Sequence, residues 1–338
     1  MKNEIIRLNL QLFANANTNV TTDTGLTPEM KTFYKTQLLQ FAEPELLFQR
    51  FGKKVNIPQN TGKTIEFRFM DPLPVVLTDL TEGVTPDGNK ITMHQLTETL
   101  RQYGYWVSYS DVVKWTTVDP IIAEVTKAEG RQAGKTIDTR TRDVVSAGSN
   151  VLYAPNYNKA TDTYTENVAR NTMDGTALMT VDLLLQAAAI LEGQDAPKIN
   201  GEYIAIMHPY VACDLEKSKD WQELQKYVHP EKVYDGEIGS VGNIRVIKNT
   251  RAKIWADAGA SDASVFATMV LGADAYAVSD LEGAGLEHIV KPLGSGEDQL
   301  NQRGSIGWKA YNLAKILIQQ YMLRIETTSA TMPEAAAN

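Results

Sequence analysis

The sequence predicts an α+β fold of two lobes with extended appendages. Three observations lead there: two strand-like segments flank a long Pro/Gly-rich excursion, an Asp-Pro-opened helix of unusual length follows, and short β-rich runs alternate with helices in the second half. The 338 residues also exceed the roughly 250–300 at which one core stops growing, which favours two packed lobes.

The chain begins with a tethered strand. Leu8, Leu10 and Leu12 alternate with Arg7, Asn9 and Gln11 up to Phe13, the pattern of a strand with one buried face. Glu4, Arg7, Asn9 and Gln11 interrupt the apolar stretch that a secretion signal needs. The polar linker Asn15 to Thr24 follows, so this strand is free to reach the sheet edge of another subunit. Thr27 caps and Pro28 opens a helix with Met30, Phe33, Tyr34, Leu38 and Phe41 on one face, and Pro44 opens a second that stops at Gly52.

Next come the two segments of the arm. Ile65, Phe67 and Phe69 alternate with Thr64, Glu66 and Arg68, and Tyr103, Tyr105, Val107 and Tyr109 share a face of the return segment Thr97 to Tyr109. The two are expected to pair as a hairpin. Between them Pro72 to Gln95 is far longer than the roughly 2–5 residues of an ordinary hairpin loop, and an isolated hairpin is marginal in water. The arm is therefore expected to be covered by something else, with Leu77, Leu80, Glu82 and Val84 as candidate contacts between subunits alongside Leu8, Leu10, Leu12 and Phe13.

Asp119 and Pro120 start a helix expected to reach Gly148, roughly 40–45 Å at 1.5 Å per residue. Ile122, Val125, Ala133, Ile137, Val144 and Ala147 form its apolar stripe, while Glu124/Lys127 and Asp138/Arg142 are spaced to pair on its solvated surface. Thr180 to Gly193 is a capped helix, and Tyr203–Met207, Arg245–Ile247 and Ser264–Leu271 are β-rich, which makes Thr180 to Gly285 a mixed unit. Ala314 to Ile325 is read as a long strand that returns to the first lobe.

Chemistry is scarce. The net charge of −8 and the lack of a Lys/Arg-rich block argue against binding through many phosphate contacts. Cys213 is the single cysteine, which excludes an intrachain disulfide and reads as a buried inert thiol. No apolar run reaches the ~18 residues of a membrane span. Gly62-Lys63-Thr64 and Gly134-Lys135-Thr136 lack the upstream glycine of a phosphate loop, since Ile57 and Glu129 stand there. Gly283/Gly285 and Gly294/Gly296 read as turns, His94, His208, His229 and His288 have no metal-ligand spacing, and no serine sits in a nucleophile elbow. The expectation is no enzyme, no cofactor and no metal.

Several stretches in combination resemble the major capsid proteins of tailed bacteriophages. They are Leu26-Thr-Pro-Glu-Met, Phe51-Gly-Lys to Ile57-Pro, Gly62-Lys-Thr-Ile-Glu-Phe-Arg, Leu80-Thr-Glu-Gly-Val-Thr-Pro, Gln132-Ala-Gly-Lys-Thr-Ile-Asp and Asn301-Gln-Arg-Gly-Ser-Ile-Gly-Trp-Lys. The resemblance spans roughly residues 26–326 and implies the Hong Kong 97-type coat fold. It implies an N-terminal arm at 1–27, a peripheral domain at 28–178 with an extended loop at 62–109 and a spine helix at 119–148, an axial domain at 179–285, and a return to the peripheral domain with a C-terminal tail at 286–338. It further implies self-assembly into pentamers and hexamers of an icosahedral head around double-stranded DNA, a portal protein at one vertex, weak non-specific contact with packaged DNA, no membrane, assembly in the host bacterial cytoplasm and residence in the virion. Fewer than 30 residues precede the first helix, so a separate scaffolding protein is expected rather than a large cleavable segment. The alternative within the same fold is an encapsulin-like nanocompartment shell. Lys90 and Asn312 carry no mark of the lysine–asparagine cross-link that some members of the family form.

Overall fold

The computed structural model describes residues 37–38, 40–42, 46–56, 63–70, 77, 79, 82–83, 85, 88, 90–116, 121–227, 236–279, 286–295, 298 and 300–338. Leu8, Leu10, Leu12, Phe13, Leu80 and Val84, and the openings at Thr27, Pro28, Pro44, Asp119 and Pro120, lie outside the described residues.

Residues 37–38 and 40–42 are helical, and the short helix α1 (Leu47–Phe51) ends where expected, at Gly52. A side chain at Gly52 would lie 2.7 Å from both Tyr276 and Val278, so only glycine lets the chain pass there into β1 (Lys53–Val55). The arm strands β2 (Thr64–Met70) and β3 (Met93–Thr99) pair antiparallel from Thr64 opposite Thr99 to Met70 opposite Met93. Ile65 and Phe67 are half-buried between exposed neighbours, as the alternation requires.

The return segment corrects the simple hairpin. At Leu100, whose N–H donates to Lys63 O at 2.7 Å, the strand leaves its partner and continues as β4 (Arg101–Ser110). The seven residues of β2 are used up by then, so the tyrosine-bearing remainder pairs elsewhere. After α2 (Asp111–Thr116), the long helix α3 runs Ile121–Val145, ending before the expected Gly148 because its last turn tightens, Ala147 and Gly148 N–H bonding back three residues.

Short strands β5 (Val151–Tyr153), β6 (Asn156–Asn158) and β7 (Thr163–Thr165) precede α4 (Val181–Gly193), which Thr180 caps by accepting from Leu183 N–H. Then follow β8 (Tyr203–Met207), α5 (Pro209–Lys217), α6 (Lys219–Tyr227), β9 (Glu237–Val241), β10 (Ile244–Lys248), β11 (Ile254–Trp255), β12 (Val265–Leu271) and β13 (Tyr276–Ser279). The chain closes with β14 (Leu286–Lys291), β15 (Arg303–Asn312), β16 (Ala314–Ile316) and β17 (Met322–Thr327).

A seven-stranded mixed sheet, ordered β5-β17-β12-β8-β10-β9 with β11 on β12, forms the centre. Tyr203, Ala205 and Met207 point to a core with α4, while Ile204 and Ile206 point to a second core with Phe48, Val145 and Tyr276. Burial on both faces explains why β8 is an unbroken apolar run and why β12 is apolar but for the buried Thr268. Two three-stranded sheets, β14-β15-β4 and β1-β13-β16, flank α3. A third core joins Leu38 and Ala42 to Ala133 and Ile137 of α3 and to Leu286, Trp308 and Ala310 of the first of these sheets.

The long strand expected at Ala314–Ile325 is also corrected. It breaks after β16, and β17 pairs with β12 and with β5 in the central sheet. The break falls at a single 3-10 turn, Gln319–Tyr321, directly before β17. Within β17 Glu326 is fully buried, accepting from Arg170 Nε at 2.7 Å and Nη2 at 2.6 Å and from Arg324 Nε at 2.8 Å, with Arg170 stacked 3.6 Å over Trp255.

Candidate assembly surface

The arm exposes what it cannot bury. Among the described residues its two strands pair only with each other, and Met70, Ile91 and Met93 are each more than half exposed. Leu77 is 88% exposed and Glu82 is exposed as well. The strip continues along β4, where Tyr105 and Trp106 face solvent, and onto α2, which buries no residue and presents Val112, Val113 and Trp115, the last 89% exposed. Of the four residues expected on one half-buried face, Tyr103 and Tyr109 are half-buried and Tyr105 and Val107 are exposed. Tyr109 has room because the facing residue is Gly304, where a Cβ would fall 2.4 Å from its ring.

The arm is rooted in the body. Lys315 Nζ lies 3.0 Å from Glu98 across a groove of about 710 Å³ that Arg101, Arg140 and Asp143 also line. Since β3 runs into β4 through Leu100, one continuous strand carries the arm out of the sheet packed on α3.

Helix α3 is held by charge that its sequence spacing assigned to solvent. Asp138 and Arg142, expected to pair with each other on the helix surface, are both buried and partnered elsewhere. Asp138 accepts from Phe48 N–H at 2.7 Å and Gln49 N–H at 3.3 Å, capping α1 across the fold, and faces Arg251 at 3.4 Å. Burial raises its pKa to about 6, against the lowering effect of Arg251 and the two N–H donors. Arg142 donates to Asp143, to Arg251 O and to the side chain and main chain of Asn338. Arg324 donates to Ser146 O and Gly148 O, neutralising the carbonyl end of α3 where the helix dipole is negative. Of the expected stripe, Ala133 and Ile137 are buried, Ile122, Val125 and Val144 are half-buried and Ala147 is exposed.

Gly134-Lys135-Thr136 lies within α3, where Thr136 Oγ1 donates to Gln132 O, so its backbone forms no anion nest. Lys63-Thr64 opens β2, with Gly62 outside the described residues. Cys213, expected buried, is half-buried. Among the described residues no group of three His, Cys, Asp or Glu side chains is placed to hold a metal, and no helix is long and apolar enough to cross a membrane.

An arm without a core, aromatic rings turned to solvent and a strut locked by buried charge define a structural subunit that its neighbours complete. The phage capsid protein family matches residues 88–284, more than half of the chain, and the chain belongs to that family: it is a major capsid protein, a coat subunit of a phage head. Solved structures share its fold. The capsid of Ralstonia phage GP4 superposes with a TM-score of 0.64 at 14% identity, covering 99% of this chain and all of that one. The capsid asymmetric unit of cyanophage Pam1 gives 0.62 at 11% identity, over 82% of this chain and 89% of the other. These similarities place the chain in the Hong Kong 97-type coat fold. A virus-like particle from Pyrococcus furiosus gives 0.50 at 9% identity, over 88% of this chain and 99% of that one. The family match supports the phage coat over the compartment alternative. No curated protein matches the chain.

Proposed function

We propose that this subunit closes its shell by laying the loop at 62–109 over a neighbour, so that Leu77, Leu80, Glu82 and Val84 make contacts between subunits. The observation that carries this is the run of exposed large apolar side chains among the described residues, Met70, Leu77, Ile91, Met93, Trp106 and Trp115, which one chain leaves in water. Leu8, Leu10, Leu12 and Phe13, in the arm at 1–27, add a strand to a neighbour's sheet edge. In this reading residues 28–178 form the peripheral domain around the spine α3, and 179–285 form the axial domain whose tips meet at fivefold and sixfold centres. Residues 286–338 return to the periphery except for β17, which stays in the central sheet.

Pentamers and hexamers build the head in the host cytoplasm around a separate scaffolding protein, with a portal at one vertex. Contact with packaged DNA is weak and non-specific, in keeping with the net charge of −8.

Deleting Leu73 to Lys90 tests the arm. The expected outcome is a folded subunit by circular dichroism that no longer forms shells under the electron microscope. Normal shells from the deletion would remove the role assigned to the loop, and a globally unfolded chain would show that the loop packs within its own subunit.

A further inference from the structure

Two arginines at the root of the arm carry charge that nothing in their own chain meets. They line the groove of about 710 Å³ between α3, the β3–β4 junction and β16. The carboxylates of this groove are already engaged: Glu98 faces Lys315 at 3.0 Å, and Asp143 takes Arg142 at 2.8 Å and Lys253 at 3.5 Å. Arg101 and Arg140 are exposed and have no carboxylate partner among the described residues, and Arg140 instead lies 5.4 Å over the ring of Tyr103. Leu96, Tyr103, Val144, Leu313 and Ile316 give the groove apolar walls. A surface of this make fits a segment that combines apolar side chains with carboxylates and carries no cation.

The tip of the arm is such a segment. From Pro72 to Asn89 the chain has three acidic residues, Asp79, Glu82 and Asp87, and no Lys, Arg or His, with Leu77, Leu80 and Val84 among them. Leu77 is 88% exposed, and Asp79 and Glu82 are exposed as well. No described residue of the tip lines the groove of its own chain. The seven paired residues of β2 and β3 lead away from it: the groove lies at Glu98, Thr99 and Arg101, whereas the far end of the ladder at Met70 and Met93 is roughly 20 Å off at ~3.4 Å per residue.

We infer that this groove is the seat for the arm tip of a second copy of the chain, with Asp79 and Glu82 meeting Arg101 and Arg140 and Leu77 entering between the apolar walls. The seat presupposes that the loop lies over a neighbour, as proposed above, and names the surface that receives it. Tip and root are different surfaces of one chain, so the contact is head to tail. Each subunit gives a tip to the next and takes one from the last, an arrangement that makes a ring where the rotation closes. The charges also fix the register. A shifted tip sets its carboxylates against Glu98 or Asp143, and like charges brought together in this way are costly.

Photo-crosslinking of the assembled full chain tests the seat, with a benzophenone amino acid in place of Leu77 and isotopically labelled and unlabelled subunits mixed to separate contacts between chains from contacts within one. Attachment to a neighbour within residues 96–103, 140–147 or 312–319 is the expected result. Attachment elsewhere on a neighbour, its residues 1–36 included, overturns the seat and leaves the loop over a neighbour; attachment confined to one chain, or to a scaffolding protein, overturns both. Charge reversal gives a second reading. Glu82→Arg and Arg140→Glu are each expected to cut the yield of capsomers by about tenfold, and the two together to restore it to within about threefold of the wild type. Circular dichroism separates a lost contact from a lost fold. Singles that fold and assemble normally, or a folded double variant that recovers nothing, refute the pairing.

Discussion

Arg324 serves two buried structures with one guanidinium. It shares the fully buried Glu326 with Arg170 and closes the carbonyl end of α3 through Ser146 and Gly148. Removing it strands a buried carboxylate on a single partner and leaves two carbonyls unmet, so Arg324→Ala is expected to destabilise the subunit by about 3–5 kcal/mol in urea unfolding. A loss under about 1 kcal/mol would mean that water replaces the guanidinium without penalty. Residues of this kind were the least legible in the sequence. Asp138 and Arg142 are four apart on a helix, the spacing of a surface pair, yet their partners Phe48, Arg251 and Asn338 lie 90, 109 and 196 residues away. Glu129, on the same helix, is buried and likewise gave no local sign of it, because a sequence pattern records periodicity and not what packs against each face.

At the scale of elements, the helix and the buried strands were legible, since their signals are local: the cap at Thr180, the glycine stop at Gly52, and the apolar runs of β8 and β12. Strand partners were not. The segment at 97–109 alternates well enough to be a strand, but nothing within it says that β15 claims its second half, and nothing within 314–325 says that its second half pairs with β12 and β5. The strut itself yields a sharp comparison at Lys135, which is exposed in the middle of α3. Lys135→Pro removes an i to i−4 bond and clashes with the preceding turn, so it is expected to cost about 3 kcal/mol or more. Lys135→Ala is expected to stay within about ±0.5 kcal/mol and to assemble normally. Thermal melts and assembly yields of the pair decide. An alanine variant that folds but fails in function would put a ligand on this helix.

The whole molecule is a set of well-packed cores with one poorly covered limb. The central sheet is buried on both faces, whereas the arm, β4 and α2 carry large apolar side chains in water. Family membership was legible in short sequence stretches, and the limb was legible as a loop too long for its hairpin, but the exposure of Tyr105 and Val107 was not, because strand alternation alone reads such residues as half-buried. A surface of this kind makes the subunit's stability depend on its neighbours by mass action. The most direct test is light scattering of the full chain across a concentration series, with and without a scaffolding protein, read alongside electron microscopy. Concentration-dependent conversion to capsomers or closed shells is the predicted result; a fully stable monomer that persists at the highest concentrations under both conditions would contradict it.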